Sequence, residues 1–346
     1  MRRIVLAVVL AGAVIVAGCA GGGIEVPESG EAGETDEAAP GVDAEVAGEL
    51  EIHHIDVGQA DSTLIRAPNG ETVLIDSGGW QSDGAEVIEY LDARGIDRID
   101  HLIATHGHAD HVGGHAAIIE AFEADRDGIG AIYDSGVTHT SQTYENYLDA
   151  VEASGNELLV VESGDELPIG GDNVSALVVN PPAGGGEDLH GASVAVVFGF
   201  GDVRYLTTGD AEAEAESRMV ETWGEDLDVD VYQAGHHGSS TSSSGALLDA
   251  ASPDVAVVSS ALDSQYGHPH DETLEAFTER GVDTYWTGVH GDVVITTDGS
   301  EVGVRTADPF SEDPTELLEA AQAAEDPPAA TASAGRPDQR GNGGGG

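Results

Sequence analysis

The segment Ala104–Gly114, ATHGHADHVGG, sets His106, His108, Asp110 and His111 within six residues, directly after the apolar run His101–Thr105. Imidazole nitrogens and carboxylate oxygens at this density and spacing are metal donors. In extended backbone His106 and His108 face one side. Asp110 and His111 begin the turn into a helix and point elsewhere, so one short loop serves two neighbouring ions. Gly107, Gly113 and Gly114 let the backbone bend and come close, and the oncoming helix N-terminus favours an anion or hydroxide beside the ions. Nitrogen donors with one carboxylate per ion suit zinc, with manganese or iron as alternatives. The bland alternative is a histidine-rich surface loop. It does not account for the segment's place at the carboxyl end of a buried strand, where α/β sites lie.

Three other segments supply partners. VRYLTTGDAEAEAE leaves a strand at Thr207 and delivers Asp210 just before a helix, where one carboxylate can bridge two ions with its two oxygens. VDVYQAGHHGSS runs a strand into His236 and His237, and DLHGASVAVVF puts His190 just before another strand. Singly, His190 or Asp210 reads as a turn residue or helix cap. Together with the first segment, all at strand ends, they read as ligands.

These positions need a scaffold that gathers strand ends. Period-two apolar runs, among them Thr72–Asp76, His101–Thr105, Val203–Thr207, Val229–Gln233 and Val255–Ser259, alternate with helical patterns. The helices are expected at Ala85–Arg94, Gly114–Ala124, Thr143–Ala153, Ala211–Trp223, Ser244–Ala250 and Asp271–Arg280. Meander-like groups of strands punctuated by helices imply an α/β (α+β) fold of two packed sheets with helices on their outer faces.

The 346 residues carry 12 basic and 65 acidic side chains, a net charge of −53, and every basic residue is arginine. This lysine-free acidity resembles the proteins of salt-loving archaea. In about 1 M salt the Debye length is roughly 3 Å, so the charge need not repel an anionic substrate. The N-terminus, MRRIVLAVVLAGAVIVAGC, has an apolar stretch Ile4–Ala17 that is short against the roughly 20 residues of a membrane span. VAGC resembles a lipobox, which implies a signal peptide over residues 1–19 and lipid on Cys19 after cleavage. A plain cleaved signal or a short uncleaved anchor are the alternatives, and the export route is open. Cys19 is the sole cysteine, which excludes an intrachain disulfide and a zinc–thiolate site. Residues 20–49 read as a disordered acidic tether, 50–306 as the folded domain, and 307–346 as a tail with one short helical patch followed by disorder. Neither flank is expected to carry chemistry.

THGHADHVGG, TGD and HHGS resemble the metallo-β-lactamase superfamily of hydrolases. Within it, HHIDVGQADS, LIDSGG, LTTGD, AGHHGSSTSS and GHPHDETLEAF resemble the C-terminal hydrolase domain of ComEC-type competence proteins, over roughly Leu50–Arg305. The resemblance implies a four-layer αβ/βα sandwich with two divalent metal ions between its sheets. It places His106, His108 and His190 on one ion, Asp110, His111 and His237 on the other, and Asp210 between them. His236 then faces substrate or donates a proton, although sequence alone does not separate two adjacent histidines. His268 lies near the leaving group, with His270 a weaker candidate. Asp56, Asp61 and Asp76 become outer carboxylates that fix ligand tautomers, Asp76 having a turn cap as its alternative. The chain departs from the family pattern at Ala60 for glycine, at Gly107 for proline, expected to be harmless, and at His190 for asparagine. His53, His54, His101, His115, His139 and His290 read as packing or solvent histidines.

Two such ions lower the pKa of water toward neutrality and stabilise charge on an attacked phosphorus or carbon. The expected function is therefore a dinuclear hydrolase at the cell surface, anchored to the membrane through Cys19 and acting on phosphodiesters, nucleic acid included. A small ester or lactone hydrolase is the alternative on the same fold, and a non-catalytic metal-binding surface lipoprotein is the alternative of another class. No basic groove interleaved with aromatics and no channel-forming segment is legible, nor any obligate protein partner.

Overall fold

The computed structural model describes residues 47–186 and 188–325, all within one compact unit. The signal peptide, Cys19, most of the tether and the chain after residue 325 lie outside the described residues.

The first half of the domain runs β1 (Leu50–His54), β2 (Thr63–Arg66), β3 (Thr72–Ile75), α1 (Ala85–Ala93), β4 (Ile99–Ile103), α2 (His115–Asp125), β5 (Ile129–Asp134), α3 (Gln142–Ser154) and β6 (Leu158–Val160). The second half runs β7 (Val174–Asn180), β8 (Ala195–Phe200), β9 (Val203–Thr207), α4 (Ala213–Trp223), β10 (Val231–Gln233), α5 (Gly245–Ala251), β11 (Val255–Val258), α6 (Asp271–Arg280), β12 (Asp283–Trp286), α7 (Thr287–His290), β13 (Val293–Thr297), β14 (Val302–Thr306) and α8 (Pro314–Glu325). One sheet has the order β14-β13-β1-β2-β3-β4-β5-β6 and the other β12-β11-β10-β9-β8-β7. Strands β3 to β6 and β9 to β12 pair in parallel. Parallel pairs need crossover connections, which α1 to α6 largely supply.

Three apolar layers hold the four structural layers together. Ile52, Ile65, Val73 and Ile103 of the first sheet pack against Val178, Phe198, Val231 and Val257 of the second. On the outer face of the first sheet, Leu74 and Leu102 bury Val87 of α1, Ile118 and Phe122 of α2 and Tyr147 of α3. On the second, Leu206, Tyr232 and Ala256 bury Met219 of α4, Leu248 of α5 and Phe277 of α6. The expected αβ/βα sandwich is present. Strand β6, three residues long, and the four-residue α7 escaped the sequence reading because each is too short for an apolar pattern to complete two periods.

The tail reading needs correction at its start. Helix α8 packs on α6 and β12, and Leu317 is fully buried in the outer core of the second sheet. Thr284 N donates to Glu312 O at 2.8 Å, so the segment before α8 also lies along β12. Folded structure therefore continues beyond residue 306, because one buried leucine and an edge strand capture a helix that is otherwise polar. Leu317→Ala is expected to lower the unfolding free energy by about 2–5 kcal/mol in denaturant titration. A loss below about 0.5 kcal/mol would show that α8 is only appended.

Candidate metal centre

The ends of β1, β3, β4, β9, β10 and β11 and the starts of β2 and β8 meet at one edge of the sandwich, and every candidate donor sits on the loops they form. Asp76 organises the first of these loops. It is buried, with φ of 57°, a left-handed conformation that is uncommon outside glycine and concentrates at functional sites. Its Oδ1 accepts from Thr105 N at 2.9 Å, and its Oδ2 accepts from Thr105 Oγ1 at 2.6 Å and from His111 Nδ1 at 2.7 Å. Asp76 is thus more than a turn cap. It anchors His111 through Nδ1 and aims Nε2 at the other donors, where a metal would take it as the ligand atom. Gly113 sits where this loop crosses the next one, since a Cβ there would stand 2.3 Å from Gly79 C and Trp80 N.

His106, His108, His190 and Asp210 form one donor group, and Asp61, His111, Asp210 and His237 form a second, each with ligand atoms within 4.8 Å of one another. Asp210 belongs to both: Oδ2 is 3.6 Å from His106 Nε2, while Oδ1 is 3.1 Å from His111 Nε2 and 3.9 Å from His237 Nε2. His111 Nε2, His237 Nε2 and Asp210 Oδ1 are buried and have no hydrogen-bond partner. Buried polar atoms are costly when unsatisfied. Three from separate loops converging on one point fit a cation that accepts their lone pairs, and an all-nitrogen-and-oxygen set suits a divalent ion.

Electrostatics point the same way. Burial opposes ionisation of Asp210, yet His111, His237 and His106 outweigh it and hold its carboxyl well below the usual range. Burial would also push His111 and His237 down, but in the metal-free site Asp210 with Asp76 holds His111 well above its ordinary value, and Asp210, Asp110 and Asp61 hold His237 at about 9. The pocket is built for positive charge.

The structure separates the adjacent histidines. Both have positive φ, 52° for His236 and 58° for His237, and their side chains diverge. His237 is buried, donates from Nδ1 to Ser259 O at 3.1 Å, and presents Nε2 to the second group. His236 is half-buried on the first group's side, with Nε2 3.5 Å from Asp210 Oδ2. Asp110 lies beside the second group at the solvent side, its Oδ2 3.3 Å from His237 Nε2. Asp61 stands among the donors of that group, deeper than the outer position given to it from sequence. Gln233 Nε2 donates to Asp61 Oδ1 at 2.7 Å, and Tyr205 OH donates to Gln233 Oε1 at 2.8 Å. Asp56 is exposed and accepts from Gly58 N, away from the donors. His268 stands at the rim, its Nδ1 3.3 Å from Gln59 Nε2 and its ring 5.8 Å from that of His236. His270 accepts the backbone N–H of Ser240 at 2.9 Å and braces the rim loop.

Glu212 went unnoticed in the sequence, and His139 and His115, read there as packing or solvent histidines, stand close to the donors. Glu212, two residues beyond Asp210, has Oε1 3.3 Å from His190 Nδ1 and 3.5 Å from His236 Nδ1. The ring of His139 stands 5.5 Å from that of His108, and His115 reaches the loop through Ser77 Oγ at 2.6 Å. The proline-to-glycine departure at Gly107 also has a consequence. A Cβ there would lie 2.9 Å from Tyr144 Cδ2, so the aromatic ring occupies the space a larger residue needs.

The family model of the Metallo-beta-lactamase superfamily matches residues 55–261. The chain belongs to that superfamily. Its members are metal-dependent hydrolases, and this chain is one of them. It is 27% identical to ComE operon protein 3 of Bacillus subtilis over 264 residues, 72% of this chain and 33% of that one. It is 30% identical to Recombination protein 2 of Haemophilus influenzae over 249 residues, 71% of this chain and 28% of that one. The chain thus spans about a third of the length of these curated relatives, which include ComEC-type competence proteins. Among solved structures it is similar to the metallo-beta-lactamase fold protein YhfI from Bacillus subtilis, with a TM-score of 0.48 and 12% identity over 68% of this chain and 96% of that one.

Two outcomes follow from the superfamily site. Asp76→Ala is expected to weaken metal affinity about 10–100-fold in chelator competition, because His111 loses its anchor. The second concerns His237, whose metal-free folded pKa of about 9 exceeds its unfolded value near 6.5. Its stabilisation is complete below about pH 6.5 and disappears as pH rises through 9. The unfolding temperature of metal-stripped protein should therefore fall over that window, while metal-loaded protein, which needs the neutral ring, shows no such fall. Parallel pH profiles for the two forms would contradict the assignment.

Proposed function

We propose that this chain is a dinuclear metal-dependent phosphodiesterase of the cell surface. The observation that carries the dinuclear reading is Asp210, whose two oxygens face two separate donor groups. The ions, zinc by preference and manganese or iron as alternatives, would be held by His106, His108 and His190 on one side and Asp61, His111 and His237 on the other, with Asp110 adjoining. When bound they supply Lewis acidity and bring the pKa of water toward neutrality.

The chain's own residues do the rest. Burial disfavours the Asp110 carboxylate, but His237 and His111 outweigh it and keep its pKa below the usual range. It therefore stays ionised, is a weak base, and orients the attacking water by accepting a hydrogen bond. Burial, with the neighbouring imidazoles, lowers His268 to about 4 and also lowers His236. Both rings are neutral near pH 7 and meet the leaving oxygen through a ring N–H.

The likeness to competence and recombination proteins supports a phosphodiester over a carboxylic ester. Nucleic acid is then the natural macromolecular substrate. No lysine exists in the chain, and Arg66, Arg98, Arg126 and Arg280 are engaged by Glu51, Asp100, Asp92 and Asp249 away from the donors. Arg218, at the edge of the site, is turned to Gly191 O at 2.8 Å, so phosphate charge would be met chiefly by the ions and the imidazole rim. The N-terminal lipobox pattern supports export and a lipid anchor on Cys19. No helix among the described residues is long and apolar enough to cross a membrane.

The test is to load the purified chain with zinc or manganese in molar KCl and assay bis(p-nitrophenyl) phosphate, linear DNA and a panel of lactones. Diester cleavage is expected, reduced about 100-fold or more in Asp210→Asn, with Asp110→Ala lowering kcat more than it raises KM. Turnover of lactones alone would transfer the assignment to an ester hydrolase. Two bound ions per chain without turnover of any substrate would favour the surface-binding alternative.

A further inference from the structure

His190, Glu212 and His236 form a third donor group beside the two already described, with ligand atoms again within 4.8 Å of one another. We propose that this group is a third divalent-cation site, weaker than the dinuclear pair and adjoining it on the solvent side. The proposal rests on the dinuclear reading for its neighbours.

One oxygen, Glu212 Oε1, lies 3.3 Å from His190 Nδ1 and 3.5 Å from His236 Nδ1. These separations exceed the usual N–H···O range of about 2.7–3.2 Å. They match co-ligands instead: bonds of about 2.0–2.2 Å in a tetrahedral set put neighbouring ligand atoms about 3.3–3.5 Å apart. His236 Nδ1 is hydrogen-bonded to Thr241 Oγ1 at 3.2 Å, a contact that a cation would replace while keeping the hydroxyl oxygen beside it. The two imidazoles tie this group to the centre. His236 turns Nδ1 to Glu212 and Nε2 to Asp210 Oδ2, 3.5 Å away, while His190, which also belongs to the first donor group, would serve both ions only as an imidazolate, its ring proton released to solvent.

Charge favours a cation here. Glu212 and Asp210 flank His236, and the nearby Arg218 is directed to Gly191 O at 2.8 Å and to Glu214 at 4.0 Å. Glu212 also lines a cleft of about 260 Å³ together with Gly191 and Arg218. All three donors are part-exposed, which makes the site exchangeable, whereas the second donor group is wholly buried and the first is buried at His106 and Asp210. A cation at this point would stand beside the first ion's ligands, placed to meet a second oxygen of a bound phosphate in a chain that has no lysine to do so.

Metal stoichiometry tests this without reference to activity. The metal-stripped chain is dialysed against increasing manganese in molar KCl and its metal content measured, alongside Glu212→Gln and Glu214→Gln, the latter altering an exposed carboxylate outside the group. The expected result is three ions in the wild type, the third bound at least ten-fold more weakly than the pair, two in Glu212→Gln and three in Glu214→Gln. A wild type that saturates at two ions, or a third ion kept by Glu212→Gln, overturns the proposal. Fewer than two tightly held ions in the wild type would remove the dinuclear reading and this inference together.

Discussion

The burial of the Asp210 carboxylate governs the architecture of this protein. It lies at the end of β9, and its desolvated oxygens are approached by four imidazoles from two loops. An unpaired carboxylate is very costly in such a place. Much of the surrounding structure can be understood as the supply of its partners. Asp76 spends its own hydrogen bonds on aiming His111, and Ser259 O aims His237. Backbone strain at Asp76, His236 and His237 is tolerated because packing on both sheets fixes these turns.

The site was legible in the sequence to the extent that its chemistry is local. Spacing alone sorted His106 and His108 from Asp110 and His111, and strand-end placement added Asp210 and His190. What stayed hidden depends on contacts between distant segments. Asp61 reads as an outer carboxylate until Gln233, 172 positions along the chain, is seen to hold it among the donors. Glu212 looks like any other acid in DAEAEAE, and only the folded turn brings His190 and His236 to it. Likewise Gly107 seemed neutral because the ring that fills its space belongs to α3.

The fold was readable for a different reason. Apolar alternation distinguished the strands, and helical spacing the six longer crossover helices, because each element carries its own buried face. Helix α8 has a weak face of its own and is kept by what β12 and α6 present to it, a relation that composition in an acidic tail conceals. Acidity served poorly as a guide to disorder here. In a chain with 65 acidic residues, order is decided by the few apolar positions, such as Leu317, that find a cavity.

The hydrogen bond from Gln233 to Asp61 joins a loop of the first sheet to a strand of the second. Asp61 and His111 come from the first sheet's loops, and Asp210 and His237 from the second's. An ion gripped by that quartet would act as a rivet through the open edge of the sandwich, with Gln233 as the pin beside it. Catalytic readiness and mechanical closure of the two halves are then the same event. An environment that strips the metal would loosen the seam of the molecule as well as silence it.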